Sequence, residues 1–292
     1  MSLNQSVLIC DQVSSTLKEI LEKNGLKVTY EPEITTEQLA EKIGNFQVVV
    51  VRSRTKLSRE LVENADKCQI IARVGVGLDN IDQEAAKEKN IRVINAVEGA
   101  VTAVAELVIG LMISMAREIP RADREIRNGN WIKKELMGSE LKGKYLGIVG
   151  LGNIGKRLGR LARALNMNII GYDVVPIDDE FSKEVGLMKA DLDTLLTSAD
   201  YVSFHVPLLD STRHMINAEK LKMMKNTARI INTSRGGVID EEALYNSLKD
   251  GSLAGAALDV FEVEPATGNK LSPFLTLSQH LTWGLRQKKL SY

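Results

Sequence analysis

The sequence has little of what marks special chemistry or a special environment. It contains only two cysteines, Cys10 and Cys68, with neither the spacing of a metal knuckle nor that of a disulfide framework. Both are expected to be buried, reduced thiols, and no metal is expected. It also has no excess charge of either sign: Lys+Arg and Asp+Glu both number 38. No global field therefore favours nucleic acid or an anionic membrane, and neither is expected as a partner. The opening MSLNQSVLIC lacks a basic region followed by a long apolar run. The most apolar helical stretch, Val101 to Ala116, carries Glu106 and is shorter than the roughly 20 residues of a membrane span. A cytoplasmic protein is the expectation.

What is present is ordinary for a globular protein, with 44% hydrophobic and 26% charged residues. A chain of 292 residues exceeds what one core usually organises, so two domains are expected. In the first third, short β-branched runs (SVLIC, KVTY, VVVVR, IIARV, IRVIN) alternate with polar helical stretches, the pattern of a parallel α/β sheet. A long helix from about Ala100 and an arginine-rich one after Pro120 separate this unit from a second strand series, NIIGYD, YVSFHV, ARIINTS and GAALDV. The expected fold class is α/β with two doubly wound parallel-sheet domains. The divisions are residues 1–98, residues 99–278 and a tail of 279–292 that fits neither.

The second series carries VGLGNIG, which sets Gly150, Gly152 and Gly155 in a G-x-G-x-x-G pattern. The pattern follows an apolar strand, Tyr145 to Val149, and opens an amphipathic helix, Ile154 to Leu165, as a Rossmann dinucleotide site requires. The first glycine permits the tight turn, the second lets backbone approach a pyrophosphate, and the third allows close helix–strand packing. Asp173 ends the next strand, 18 residues beyond Gly155. A carboxylate there accepts hydrogen bonds from ribose hydroxyls and repels a 2′-phosphate, which selects NAD, although it also serves simply to end a strand.

Four further stretches, VRSRTKL (51–57), ARVGVGLDNID (72–82), INTSRGGVIDEEAL (231–244) and GAALDVFEVEP (255–265), resemble the D-isomer-specific 2-hydroxyacid dehydrogenases, in order and over residues 6 to 277. The resemblance implies a flavodoxin-like substrate domain followed by the Rossmann NAD-binding domain. It also implies oxidation of a small 2-hydroxy acid, phosphorylated by the closest likeness, with hydride passing to NAD. By matching position, Arg235 holds the substrate carboxylate and Glu264 backs the catalytic histidine. Asn153, Ile154, Val206, Pro207, Thr233, Ser234 and Asp259 contact the cofactor. Arg52, Ser53 and the backbone of Val76 and Gly77 face the substrate. His205 accompanies the cofactor pocket, and REIPRADREIRNGNW resembles the arm that forms a homodimer.

From the residues alone, some alternatives stay open. Arg235 also reads as a loop residue near a strand end, and Glu264 as part of an acidic loop with Glu262. Gly75 and Gly77 suit an anion through exposed N–H groups, or form a turn before a helix capped by Asn80 or Asp82. Arg54 and Lys56 add attraction for a phosphorylated substrate, or are plain surface.

After DVFEVEP the family runs through a T-P-H-x-G-A-S-T segment whose histidine is the base. Here Pro273, Phe274, Leu275 and Leu277 keep the beginning of that pattern, but His280 stands between Gln279 and Leu281 and is not equivalent. Synonymous codons exist for which QHLTWGLRQKKLSY, read from two nucleotides in, becomes TPHLGASTKEALI, the family's catalytic segment. The expectation is a shifted reading frame with a small deletion, impaired proton transfer, and loss of the helix that returns to the first domain, with lower stability. A catalytically silent NAD sensor and a glyoxylate or hydroxypyruvate reductase are the rival readings.

Overall fold

The computed structural model describes residues 5–75, 77–96 and 98–278. The chain forms two compact units that part between Ala100 and Val101. In the first, strands and helices alternate as β1 (Ser6–Ile9), α1 (Ser15–Lys23), β2 (Lys27–Tyr30), α2 (Thr36–Lys42), β3 (Val48–Val51), α3 (Arg59–Glu63), β4 (Ile70–Arg73), α4 (Gln83–Glu88) and β5 (Arg92–Asn95). The strands are parallel in the order β2-β1-β3-β4-β5, the flavodoxin-like arrangement. Alternating side chains of the central strands feed two cores. Val7, Ile9 and Val50 pack with Leu17 and Leu21 of α1, while Leu8, Val49, Val51 and Ile71 pack with Leu39, Leu61 and Ala85 of α2, α3 and α4.

The second unit is larger. After α5 (Glu98–Arg117) and α6 (Ile119–Arg127) come β6 (Tyr145–Val149), α7 (Asn153–Ala164), β7 (Asn168–Tyr172), α8 (Asp179–Val185), β8 (Met188–Lys189) and α9 (Leu192–Ser198). Then follow β9 (Tyr201–Phe204), α10 (Ala218–Met223), β10 (Arg229–Asn232), α11 (Glu241–Lys249), β11 (Gly255–Leu258) and β12 (Leu275–Ser278). Seven parallel strands run in the order β12-β11-β10-β9-β6-β7-β8. One face packs Leu146 and Ile148 against α5, α7 and Phe181 of α8. The other packs Val202, Ile230 and Ala256 against Leu195, Leu221 and Leu244 of α9, α10 and α11. The two-residue β8 and the edge strand β12 are not legible as strands in the sequence, since neither is a long apolar run.

Most helix starts follow from side-chain capping. Thr35 forms a capping box with Gln38, and Asp82, Asp178, Asp191, Asn217 and Asp240 accept backbone N–H groups at the starts of α4, α8, α9, α10 and α11. α7, like α3 and α6, has no side-chain cap; its N-cap is Gly152, which leaves its first N–H groups to another acceptor. No helix among the described residues is long and apolar enough to cross a membrane.

Candidate functional site

Strand order reverses between β9 and β6, and in an open parallel sheet the ligand crevice lies at the carboxyl ends of the strands around such a point. The glycine-rich turn follows β6 there. Gly150 has φ +92°, and a methyl group on it would lie 2.6 Å from the carbonyl oxygen of His205 and 3.0 Å from Val206 Cγ1. A methyl group on Gly155 would overlap the carbonyl oxygen of Gly150, so α7 packs on the turn with no room for a side chain. Gly152 has no protein atom within 4 Å of a methyl position. That open face lies beside the uncapped N–H groups at Asn153 and Ile154, the arrangement that accepts a phosphate.

Asp173 lies just beyond β7, and its carboxylate does more than end a strand. Oδ2 accepts the Leu151 N–H at 2.6 Å and Oδ1 accepts the Val175 N–H at 3.1 Å, so it holds the glycine-rich turn against the neighbouring strand end. Val206 and Pro207 follow β9, where His205 donates its N–H to Val149 and its Nε2 lies 2.9 Å from Ser203 Oγ.

The next two strand ends carry the residues matched to substrate chemistry. Asn232, a buried residue that sequence reasoning missed, shapes the loop after β10. Its Oδ1 accepts both the N–H and Oγ–H of Ser234, its Nδ2 donates to the Arg235 carbonyl at 2.8 Å, and its own carbonyl accepts the Asp259 N–H. An amide at a strand end followed by small polar residues is the signal that could have found it. The Thr233 hydroxyl is buried with no hydrogen-bond partner among the described residues, which suits a polar group of a bound cofactor. A methyl group on Gly236 would overlap the Phe261 carbonyl oxygen, so the loops carrying Arg235 and Glu264 lie back to back. Arg235 donates to the Ser234 carbonyl at 2.6 Å, and Glu264 Oε1 accepts the Phe261 N–H at 3.1 Å. Beside them, His214 Nε2 lies 3.1 Å from Glu262 Oε1, and Glu262 and Glu241 accept each other's backbone N–H groups. The acidic loop is thus divided, with Glu262 committed to His214 and Glu241, and Glu264 to its own turn.

In the first unit, the loop after β3 is built on Asp11, which is 2% exposed. Its carboxylate accepts the N–H groups of Arg52 and Thr55 and the Thr55 hydroxyl, and Arg54 Nε lies 3.2 Å away. Arg54 also donates to the carbonyls of Cys10, Pro32 and Ile34, so it anchors the loop and is not a spare charge for a phosphate. Asn80 donates to the Arg52 and Thr55 carbonyls while Asp82 caps α4, which resolves the two capping alternatives. Arg52 is part-buried and Ser53 exposed, as is Lys56. Gly75 gives its N–H to the Arg73 carbonyl and so does not offer it to an anion. Val76 and His280 lie outside the described residues; Gly77, beside Val76, is described and half-buried. Asp11→Ala is expected to cost about 3 kcal/mol, because it orphans buried donors and the Arg54 charge together; urea unfolding checks this.

Burial pushes the His205 imidazole down to about 4 from 6.5. The folded protein keeps this ring neutral where the unfolded chain takes up a proton. Stability is therefore complete above about pH 6.5 and falls as pH drops towards 4, by about 3 kcal/mol from this residue. His205→Gln is expected to remove that share of the difference between unfolding free energies measured at pH 7 and pH 4.

With this geometry in place, comparison with known proteins identifies the chain. The family described as "D-isomer specific 2-hydroxyacid dehydrogenase, NAD binding domain" matches residues 109–282. Over 272 residues the chain is 46% identical to a D-3-phosphoglycerate dehydrogenase of Methanocaldococcus jannaschii, covering 93% of this chain and 51% of that protein. Over 258 residues it is 45% identical to a hydroxypyruvate reductase of Thermotoga maritima, covering 88% and 83%. Among solved structures, a glyoxylate reductase from Paecilomyes thermophila superposes with a TM-score of 0.85 at 31% identity, over 92% of this chain and 85% of that one. The chain spans about half the length of the curated D-3-phosphoglycerate dehydrogenases it matches. It belongs to the D-isomer-specific 2-hydroxyacid dehydrogenase family, and its glycine-rich unit is an NAD-binding domain.

Proposed function

We propose that this chain is an NAD-dependent dehydrogenase of D-2-hydroxy acids, acting on 3-phosphoglycerate to give 3-phosphohydroxypyruvate, the first step towards serine. The observation that carries the reading is the convergence, at successive strand ends of one sheet, of the NAD turn, the Thr233–Arg235 loop and the Glu264 loop. Bound NAD supplies the hydride acceptor. Arg235 presents a planar cationic fork to the substrate carboxylate, Glu264 is the carboxylate that would orient an imidazole base, Arg52 and Ser53 bind the substrate, and with His280 not equivalent to the family's base proton transfer is impaired. The 46% identity to a phosphoglycerate dehydrogenase supports the substrate.

Two features favour a reductase of hydroxypyruvate or glyoxylate as the second reading. The chain is 45% identical to a hydroxypyruvate reductase, and Arg54 is engaged by Asp11 and three carbonyls. A cytoplasmic homodimer belongs to the same proposal. The exposed Ile113, Ile119, Ile126, Trp131 and Met137 on α5, α6 and the segment after them support the dimer, and two reduced, buried cysteines support the compartment.

Initial rates with 3-phosphoglycerate or lactate and NAD, and with hydroxypyruvate or glyoxylate and NADH, are to be compared beside NADH binding followed by fluorescence. Faster phosphoglycerate oxidation than lactate oxidation is expected. NADH binding without turnover of any of these acids would sink the enzymatic reading and favour an NAD sensor.

A further inference from the structure

Beyond Asp173, the carboxyl ends of β7 and β8 enclose a depression of about 600 Å³, lined among others by Asp173, Pro176, Ile177, Asp179, Lys189 and Asp191. The carboxylate that meets the ribose in this class of fold opens into it, which marks it as the adenosine end of the NAD site. Its charge is unbalanced, with three carboxylates against one ammonium among the lining residues. Each carboxylate has a partner. Asp173 is bound to two backbone N–H groups, and Asp191 caps α9 through the Thr194 N–H at 2.7 Å, which holds its carboxyl below the usual range. Asp179 Oδ1 lies 2.6 Å from Lys189 Nζ, which also donates to the Ile177 carbonyl at 3.1 Å. Pairing of β8 with β7 sets Lys189 opposite Gly171, two residues before Asp173. The one cation of the depression thus sits a strand away from the ribose acceptor with its charge already matched.

We propose that Asp179 is a specificity-determining residue of the cofactor site, excluding 2′-phosphorylated dinucleotides by occupying Lys189. The inference rests on the NAD-binding assignment and deepens it. A ribose 2′-hydroxyl is a neutral donor and suits Asp173, whereas a 2′-phosphate brings close to two negative charges and can only accept. Asp173 and Asp191 repel it, and Lys189, the residue able to compensate, is held by Asp179. Freed from that partner, Lys189 is the natural counter-ion for the phosphate. Asp179 is exposed in the first turn of α8, beside the capping Asp178, so its replacement removes a charge without touching the core.

The test is titration of the full chain with NADH and NADPH by fluorescence, at low salt and at 1 M KCl. Asp179→Asn is expected to raise the ratio of NADPH to NADH affinity roughly tenfold at low salt. The double variant Asp179→Asn/Lys189→Ala is expected to lose the gain, and the gain of the single variant should shrink at high salt, where the Debye length is about 3 Å. An unchanged ratio of NADPH to NADH affinity in Asp179→Asn, or a gain that survives loss of Lys189, overturns the proposal while leaving NAD binding intact. Failure of the unaltered chain to bind NADH overturns it together with the cofactor assignment.

Discussion

Restoring the few residues missing before it together with the shifted frame, so that TPHLGASTKEALI replaces residues 279–292 in register, is expected to raise turnover of a D-2-hydroxy acid with NAD by on the order of 10²- to 10⁴-fold, the usual contribution of a positioned acid–base group. The affinity for NADH should not change, because the glycine-rich turn, Asp173 and Thr233 are built by strands that precede the tail. The histidines present have other partners or another setting. His205 is part-buried, its Nε2 beside Ser203 Oγ and its basicity lowered to about 4, and His214 is engaged by Glu262. His280 lacks the flanking residues of the family's base. On the proposed function Glu264, whose loop packs against that of Arg235, would orient an imidazole, but the hydrogen bonds of His205 and His214 run to Ser203 and Glu262 instead. Steady-state rates and NADH titrations of both proteins check this. Equal turnover would mean that another group already moves the proton, and a gene sequence with no HLGASTKEA reading in another frame would remove the frame-shift explanation.

The second large effect separates two glycines three residues apart. Gly155→Ala places a methyl group into the Gly150 carbonyl, so α7 must retreat from β6; a loss of about 1–3 kcal/mol in stability is expected, together with loss of NADH binding. Gly152→Ala meets no protein atom within 4 Å and has φ −69°, which any L-residue adopts, so the unfolding midpoint should hold. Its methyl group instead stands where backbone opens to the phosphates, and a loss on the order of tenfold in NADH affinity is expected. Urea unfolding and fluorescence titration of the two variants give the comparison. The reverse pattern, with Gly152→Ala unfolded and Gly155→Ala intact, would contradict the reading of this turn.

Local chemistry made much of this legible in advance. The β-branched run VVVV at 48–51 reads as a strand of a parallel sheet and is one, and Asp82, one of two candidate caps, starts α4. The glycine spacing and an acid at the next strand end declare a dinucleotide turn, because backbone conformation and reach are properties of a few consecutive residues.

Other features depend on partners far apart in sequence. Arg54 read as a possible phosphate attractant, yet Asp11, 43 residues earlier, and three carbonyls claim it. Gly75 read as an anion donor, yet its N–H turns back to Arg73. An amide at a strand end hints at Asn232, but that it joins Ser234 and Arg235 to Asp259 depends on the fold, and nothing near Lys189 announces its pairing with Asp179 beside Asp173. By itself, the sequence determined the fold class, the NAD turn and the family's candidate residues, since these follow from periodicity, glycine geometry and motif. Which charges are committed and which remain available was decided only by tertiary structure, because a charge is neutralised by whatever the fold brings within a few ångströms of it.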